Sequence, residues 1–167
     1  MRAMLRGVCF AAALLACAGC MVNALQAGDE AYERGDYAAA AANYEQGLAQ
    51  GDAQACFALA VMYSNGQGVP RDEARAVELL RQAAALGSGE AHAALGYRHL
   101  VGQGVEQDNA LAMRHLLEAG NLGNGAALYV LGAMFESGRG VEADPELAEF
   151  FYVMARGHGF GVPLPGD

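Results

Sequence analysis

The 167-residue sequence contains no lysine and carries little charge of either sign: ten arginines stand against nineteen acidic residues, and only 17% of the residues are charged. A net charge of −9 repels phosphate backbones, which argues against nucleic acid as a partner. The lack of lysine excludes the Ser-x-x-Lys arrangement of penicillin-recognising enzymes. Because 54% of the residues are apolar, we expect a folded core and one domain rather than a disordered chain.

Near its start the chain has an uncharged stretch, residues 7–19, that is too short to cross a membrane. As a helix it would span about 20 Å, against a hydrocarbon core of about 30 Å. Arg2 and Arg6 precede the stretch and small residues end it, which is typical of a signal peptide over residues 1–19. Cleavage before residue 20 would leave 148 residues with a net charge of −11.

The end of this segment resembles the bacterial lipoprotein box, in which a cysteine is acylated and becomes the new N-terminus. Ala18-Gly19-Cys20 matches its last three positions, so Cys20 is the predicted lipidation site and Cys17 the alternative. The resemblance implies three acyl chains, which hold a protein firmly where one chain holds it marginally. Met21, where an Asp would favour retention, is consistent with export to the outer membrane. An ordinary secretory signal, cut near residue 18, stays an alternative.

The remaining sequence contains one pattern three times, at a spacing of 36 residues. A period of 20–50 residues indicates a stack of supersecondary units, each of which buries its apolar face only against its neighbours. The positions that return are Leu59, Leu95 and Leu131; Gly66, Gly102 and Gly138; Gly68, Gly104 and Gly140; Asp72, Asp108 and Asp144; and Ala76, Ala112 and Ala148.

Each repeat reads as two helices. Ala55, Leu59 and Met62 fall on one face of a first helix, which Gly66 ends because glycine adopts the left-handed conformation without a Cβ penalty. Asp72 is the expected N-cap of the second helix. Small residues such as Ala112 predict that the two helices of a pair approach closely. The predicted fold is therefore all-α, an α-solenoid of antiparallel helix pairs behind a signal peptide.

We place the solenoid domain at residues 20–167. A partial unit over residues 24–52, with helices at 24–34 and 37–50, precedes repeats at 53–88, 89–124 and 125–159. The tail, residues 160–167, is expected to fold back through Phe160, Val162 and Leu164 and cover the last repeat, as terminal units of solenoids must.

The repeated motif resembles the Sel1-like repeat, a longer-looped relative of the tetratricopeptide repeat. In the first repeat, Ala55, Leu59, Tyr63, Gly66-x-Gly68-Val69 and Asp72 carry the resemblance, and residues 24–52 look more like an ordinary tetratricopeptide unit. His115 departs from the pattern, since it stands where the family often has tryptophan, and is expected to loosen the core of the middle repeat. The resemblance implies an adaptor that binds proteins along a concave face, in the bacterial envelope or after secretion.

Side chains that could carry chemistry do not form a familiar site. Ser64, Ser88 and Ser137 lack the Gly-x-Ser-x-Gly setting of a nucleophile. Cys56 and His92 occupy equivalent positions of adjacent repeats and are expected to be neighbours, but two ligands without a third do not make a zinc site. We therefore expect no enzyme, no cofactor and no bound metal.

The first helix of each repeat presents side chains opposite its Leu59-type face, and these do not repeat in identity, as expected if a partner reads them one by one. Aromatic residues among them suit interface anchors. The alternative is that they pack between adjacent first helices. The candidate partner-binding residues are Phe57, Val61, Tyr97, Leu100, Tyr129 and Glu136.

The predicted function is a non-enzymatic protein-interaction scaffold or adaptor, anchored by lipid in the cell envelope, that binds a protein or peptide on its concave face. One alternative is an envelope enzyme or β-lactam-binding protein. The other is a secreted repeat protein that acts on other cells.

Overall fold

A computed structural model describes residues 24–160, and within that range the secondary structure is helical, without strands. The first helix, α1, covers residues 24–33, and each later helix is thirteen residues long. These helices are α2 (Tyr37–Ala49), α3 (Ala53–Asn65), α4 (Glu73–Ala85), α5 (Gly89–Val101), α6 (Asn109–Asn121), α7 (Gly125–Ser137) and α8 (Pro145–Gly157). The prediction of an all-α solenoid with a 36-residue period is confirmed.

Helix starts are fixed by side chains that accept hydrogen bonds from otherwise unpaired backbone N–H groups. Asp72 accepts from the N–H of Arg75, and Asp108 and Asp144 do the same one and two repeats later. The first helices follow Asp52, Ser88 or Asn124, which accept in the same way. The repeated aspartate therefore sets where every second helix of a repeat begins.

Each first helix ends at a left-handed glycine. Gly66 has a φ of 71°, and its N–H donates to the carbonyl of Met62. Gly102 and Gly138 end α5 and α7 with the same geometry. A side chain at this φ would be strained, so glycine is the residue that lets the chain turn toward the second helix.

The two helices of each pair approach closely through small residues. Ala112 is fully buried, and a Cβ added to Gly96 would lie 2.7 Å from Leu116 and 3.1 Å from the Ala112 carbonyl oxygen. In the last repeat a Cβ on Gly132 would lie 3.1 Å from the Ala148 carbonyl oxygen. The helices can lie this near one another only because neither position carries a larger side chain.

Successive units are joined by the loop between the two helices of each repeat. A Cβ on Gly68 would collide with the backbone of Tyr37 and Ala38, at the start of α2 in the preceding unit. Gly140 packs in the same way on Asn109, at the start of α6. Each loop therefore rests on the second helix of the unit before it.

The hydrophobic core has two parts. One runs from Ala31 to Leu95, and the other runs from Leu100 to Ala155. Between them, in the middle repeat, Arg98 and His99 are buried at 8% and 6% exposure. Polar side chains thus occupy the joint where the two apolar clusters meet.

None of the helices in residues 24–160 is both long and apolar enough to cross a membrane. The predicted signal peptide, with Cys17 and Cys20, lies outside the described residues, as do Val162 and Leu164 of the tail. Phe160 is described, and its ring packs against Tyr129 with centroids 5.4 Å apart.

Candidate interaction surface

The odd-numbered helices α1, α3, α5 and α7 are the first helices of their units, and the surface they share is here called the first-helix face. α5 contacts α7 directly, and one hollow is lined jointly by α1, α3 and α5. The predicted partner-binding residues all lie on these helices. Their surroundings differ, and the structure divides them into exposed, half-buried and buried side chains.

Phe57 lies in an apolar depression on this face. It is half-buried, and with Val61 it lines a groove of about 210 Å³ between α1 and α3. Tyr32, Tyr44 and Ala58 complete the lining. We call this depression the Phe57 groove. An open groove with an aromatic floor is the kind of place into which a partner inserts an anchoring side chain.

A second hollow, of about 270 Å³, adjoins the Phe57 groove and shares Phe57 and Ala58 with it. Its other lining residues are Leu25, Asp29, Gln54 and Glu90. The lining thus comes from three successive first helices and includes two carboxylates with no basic residue. We call this hollow the acidic hollow.

The Asp29 carboxylate is held in place from behind. The hydroxyl of Tyr44 donates a hydrogen bond to Asp29 Oδ1 at 2.7 Å. Burial of Tyr44 and its contact with the carboxylate raise the pKa of the tyrosine, so it stays a hydrogen-bond donor at neutral pH. Asp29 therefore keeps a fixed position at the edge of the acidic hollow.

Tyr97 and Val101 are the most exposed large apolar side chains on α5, at 53% and 42%. They are four residues apart, so they lie on the same side of the helix. Tyr97 is thus accessible to a partner, as its position opposite the Leu95 face predicts.

Tyr129 is half-buried and lies in an aromatic cluster. Its ring centroid is 5.1 Å from that of Tyr152 and 5.4 Å from that of Phe160. The sequence suggested two roles for this residue, a partner anchor or a packing residue, and these contacts give it a packing role. Its ring contacts are with Tyr152 of α8 and with Phe160, three residues beyond the end of α8.

Leu100 is a correction. It is only 6% exposed and belongs to the second core cluster, so it is not available to a partner. Its backbone carbonyl accepts hydrogen bonds from Arg139 at 2.6 Å and Gln107 at 3.0 Å. Gln107 belongs to the loop after α5 and Arg139 to the loop after α7, so residues of two repeats meet at the end of α5.

Glu136 is exposed, and its carboxylate accepts a hydrogen bond from the hydroxyl of Tyr152 at 2.7 Å. Burial and this carboxylate raise the pKa of Tyr152. The pair repeats the contact between Tyr44 and Asp29, because Tyr44 and Tyr152 occupy the same position of the first and last units. Sequence reasoning missed both pairs, although the 108-residue spacing of the tyrosines, three full periods, was a signal.

Three of the four histidines meet in the middle repeat. His92 Nδ1 lies 3.1 Å from His115 Nδ1, and the rings of His99 and His115 stack with centroids 5.9 Å apart. Burial first, then the nearby His92 and His99, lower the pKa of His115 to about 4. Arg114 and Arg81 act in the same direction. His115 is therefore neutral at pH 7, and it is half-buried in the repeat whose packing it was expected to loosen.

Cys56 and His92, which the sequence predicts to be neighbours, each make a contact within their own repeat. Cys56 is fully buried, its Sγ lies 3.2 Å from the Leu79 carbonyl oxygen, and burial raises the pKa of the thiol. His92 contacts His115. Among residues 24–160, no group of three or more His, Cys, Asp or Glu side chains is arranged to hold a metal ion.

The three serines considered as nucleophiles make structural hydrogen bonds. Ser64 accepts from Arg98 at 2.5 Å, Ser88 caps α5 through the N–H of Ala91, and Ser137 donates to the Ala133 carbonyl at 2.6 Å. Ser88 also donates a hydrogen bond to the Glu90 carboxylate at 3.1 Å. The arrangement is that of helix caps and joints.

Comparison with known families agrees with this architecture. The family model described as Sel1 repeat matches residues 53–88, 89–124 and 125–163, which is more than half of the chain. No curated protein sequence is significantly similar to the chain.

Two solved structures resemble the chain. One is a Sel1 repeat protein from Oxalobacter formigenes, with a TM-score of 0.79 and 27% identity over 83% of this chain and 58% of that one. The other is a protective antigen present in uropathogenic Escherichia coli strains that displays an SLR fold, with a TM-score of 0.74 and 29% identity over 86% of this chain and 31% of that one. The chain thus spans less than two thirds of either structure.

Proposed function

Because the chain belongs to the Sel1 repeat family, whose members generally act as protein-interaction scaffolds, we propose that it is a non-enzymatic adaptor of the bacterial cell envelope. It captures a protein or peptide on its first-helix face, which we take to be the concave side of the solenoid. A lipid on Cys20, or on Cys17 as the alternative, anchors it to the outer membrane facing the periplasm.

One observation carries the binding role: the Phe57 groove and the acidic hollow form a continuous depression across three first helices. Its lining side chains differ from repeat to repeat, whereas the positions that hold the helices together repeat closely. A partner therefore meets a different side chain at each step along the face. Half-exposed aromatic residues such as Phe57 and Tyr97 are of the type that dominates binding energies.

The non-catalytic part of the proposal draws on the family and on the commitments of the polar side chains. Sel1 repeat proteins are typically scaffolds without enzymatic activity. In the described part of this chain Ser64, Ser88 and Ser137, the serines considered as nucleophiles, make structural hydrogen bonds, and the Cys56 thiol is buried. These observations favour a scaffold over the envelope enzyme or β-lactam-binding alternative.

The envelope placement draws on the sequence of the first twenty residues and on one similar structure. Residues 1–19 have the pattern of a signal peptide that ends at a lipoprotein-type cysteine. The likeness to a protective antigen is in keeping with a position outside the cytoplasm.

Crosslinking in intact cells tests the binding role. The full chain, its Tyr97→Ala variant and a matched Phe150→Ala variant would be crosslinked, purified and analysed by mass spectrometry. Phe150 is a suitable control because it is 55% exposed, much like Tyr97, but lies on a second helix. We expect Tyr97→Ala to lose the specific partner and Phe150→Ala to retain it. Equal capture by both variants, or capture lost only in Phe150→Ala, would overturn the assignment of the face.

Metabolic labelling with a fatty acid tests the anchor. Label on the wild-type chain that disappears in Cys20→Ser supports acylation of Cys20, and label lost only in Cys17→Ser moves the site to the alternative cysteine. Unlabelled protein recovered from the culture medium would instead favour a secreted repeat protein that acts on other cells.

A further inference from the structure

The depression on the first-helix face has two chemically different parts side by side. The Phe57 groove is apolar, whereas the acidic hollow next to it has the carboxylates of Asp29 and Glu90 in its lining. We propose that the two parts together bind an extended protein segment in which a large apolar side chain is flanked by arginine or lysine. This inference rests on the proposed adaptor function and specifies the chemistry of the partner.

The size of the Phe57 groove suits one large side chain. About 210 Å³ corresponds to roughly seven water molecules at about 30 Å³ each, which is room for a leucine, methionine or phenylalanine side chain. The rings of Tyr32, Tyr44 and Phe57 supply apolar contacts on several sides. Burial of one such side chain is the main source of affinity that the groove can offer.

The negative charge of the acidic hollow determines which partner residues can lie next to the side chain bound in the Phe57 groove. Asp29 and Glu90 are exposed, and the lining of the acidic hollow contains no basic residue. A guanidinium or ammonium group on the partner would pair with these carboxylates, whereas an acidic segment would be repelled. The net charge of −9 adds a long-range attraction for basic segments.

Two contacts keep the carboxylates ready for such a partner. Asp29 accepts the hydrogen bond of Tyr44 at 2.7 Å, and Glu90 accepts one from Ser88 at 3.1 Å. A carboxylate can accept several hydrogen bonds, so each retains capacity for an incoming cation. Less side-chain ordering is then needed on binding.

The span of the depression sets the length of the segment. Neighbouring packed helices lie about 8–10 Å apart, so α1 and α5 lie about 20 Å apart across the face. An extended chain covers this distance with about six residues at about 3.3 Å each.

Selection from a random heptapeptide library displayed on phage tests the proposal with the chain beginning at residue 20. We expect the enriched peptides to contain a large apolar residue with arginine or lysine nearby. A synthetic peptide of the enriched sequence would then be titrated against the wild-type chain, the double variant Asp29→Asn/Glu90→Gln and the control Glu149→Gln. Asparagine still accepts the Tyr44 hydroxyl, so the double variant should keep the fold.

We expect binding about tenfold weaker in the double variant than in the control, a difference that narrows as salt rises from about 50 mM to about 300 mM. Phe57→Ala should weaken binding at every salt concentration, with folding checked by circular dichroism. Enrichment of neutral or acidic peptides, or equal binding by the double variant, would overturn the basic-segment proposal and leave the adaptor function standing. If no peptide is enriched while Tyr97-dependent crosslinking in cells persists, the basic-segment proposal fails and the adaptor function stands. If both experiments find no partner, the adaptor function fails too.

Discussion

The Arg98 guanidinium lies 2.7 Å from the Glu73 carboxylate and thereby ties α5 of the middle repeat to the start of α4 in the repeat before it. The same guanidinium donates to Ser64 on α3. Hydrogen bonds from Arg98 and then Arg71 lower the pKa of Glu73 to about 2. The joint between the two halves of the core is therefore held by charge, whereas Met62 and Met134 fill the equivalent positions of the other repeats.

This substitution pattern predicts how Arg98 responds to mutation. Arg98→Met should cost about 1–2 kcal/mol less than Arg98→Ala, because methionine fills the volume as it does at positions 62 and 134, while both variants lose the pairing with Glu73. Arg98→Ala should cost about 2–4 kcal/mol, because it leaves a cavity and weakens the pairing of Glu73. Urea unfolding of both variants measures the difference. Equal losses would mean that the charge, and not the filled volume, holds the joint.

The histidine cluster predicts a loss of stability in mild acid. His115 has a folded pKa of about 4 and an ordinary value of 6.5, so the unfolded chain binds the extra proton between these two pH values. Titration of His115 should lower the free energy of unfolding by about 1–3 kcal/mol as pH drops from 6.5 to 4, and this contribution of His115 should level off below that range.

His115→Leu is the matched control for this prediction, since Leu79 occupies the equivalent position of the first repeat. The variant should lack most of the loss between pH 6.5 and 4. It should keep the further loss below pH 4.5, where protonation of Glu73 removes stability that its lowered pKa provides above that value. Thermal melts of the wild-type chain and of His115→Leu at a series of pH values measure the loss of stability in each of the two pH ranges. An unchanged slope in His115→Leu would contradict the assignment.

Close approach of the helix pair predicts a penalty for added volume at Ala112, which is fully buried. Ala112→Leu should destabilise the chain by about 1–3 kcal/mol through overpacking against α5. Ala110→Leu on the exposed side of the same helix serves as control and should be nearly neutral. Chemical denaturation measures the free energy of unfolding of both variants. Equal values would show that α5 and α6 have space for a larger side chain between them.

Gly68 and Gly35 separate backbone strain from steric contact. Their φ angles are 70° and 76°, but a Cβ would strike the backbone of Tyr37 only at Gly68 and would meet nothing within 4 Å at Gly35. Gly35→Ala should cost about 1–2 kcal/mol, the ordinary price of a left-handed alanine. Gly68→Ala should cost at least about 2 kcal/mol more, because the first two units must also move apart. An equal loss of stability in the two variants, measured by calorimetry, would argue against close contact between Gly68 and the backbone at the start of α2.

Tyr97 and Tyr129 were both candidate anchors, and the structure predicts that they differ. Tyr97→Ala should alter the free energy of unfolding by less than about 0.5 kcal/mol, since the side chain is 53% exposed. Tyr129→Ala should cost about 1–3 kcal/mol, because it removes the ring between Tyr152 and Phe160. Thermal denaturation of the two single variants measures these losses of stability. A larger loss in Tyr97→Ala than in Tyr129→Ala would make Tyr97 the packing residue.

The helices could be predicted from the sequence because their boundary residues repeat. Left-handed glycines such as Gly66 and capping aspartates such as Asp72 act locally, so a short stretch of sequence is enough to locate the helix ends that they set. The burial of Leu100 could not be predicted in this way. It depends on residues far along the chain, because Leu100 belongs to a core cluster with residues of α6, α7 and α8.

The face of a first helix is also hard to read from sequence alone. In a solenoid these helices touch their own pair and the neighbouring units, so apolar side chains surround much of the helix and periodicity does not single out a solvent side. Tyr129 lies one helical turn nearer the start of its helix than Tyr97 does. Its contacts with Tyr152 and Phe160 make Tyr129 a packing residue, whereas Tyr97 is exposed.

Each loop packs on the unit before it, and this gives the solenoid a direction. Gly68 rests on α2 and Gly140 on α6, so every repeat needs a surface that has already been synthesised when its own residues leave the ribosome. Domains fold from the N-terminal end during synthesis. The units can therefore settle one after another in chain order, each completed pair acting as the template for the next.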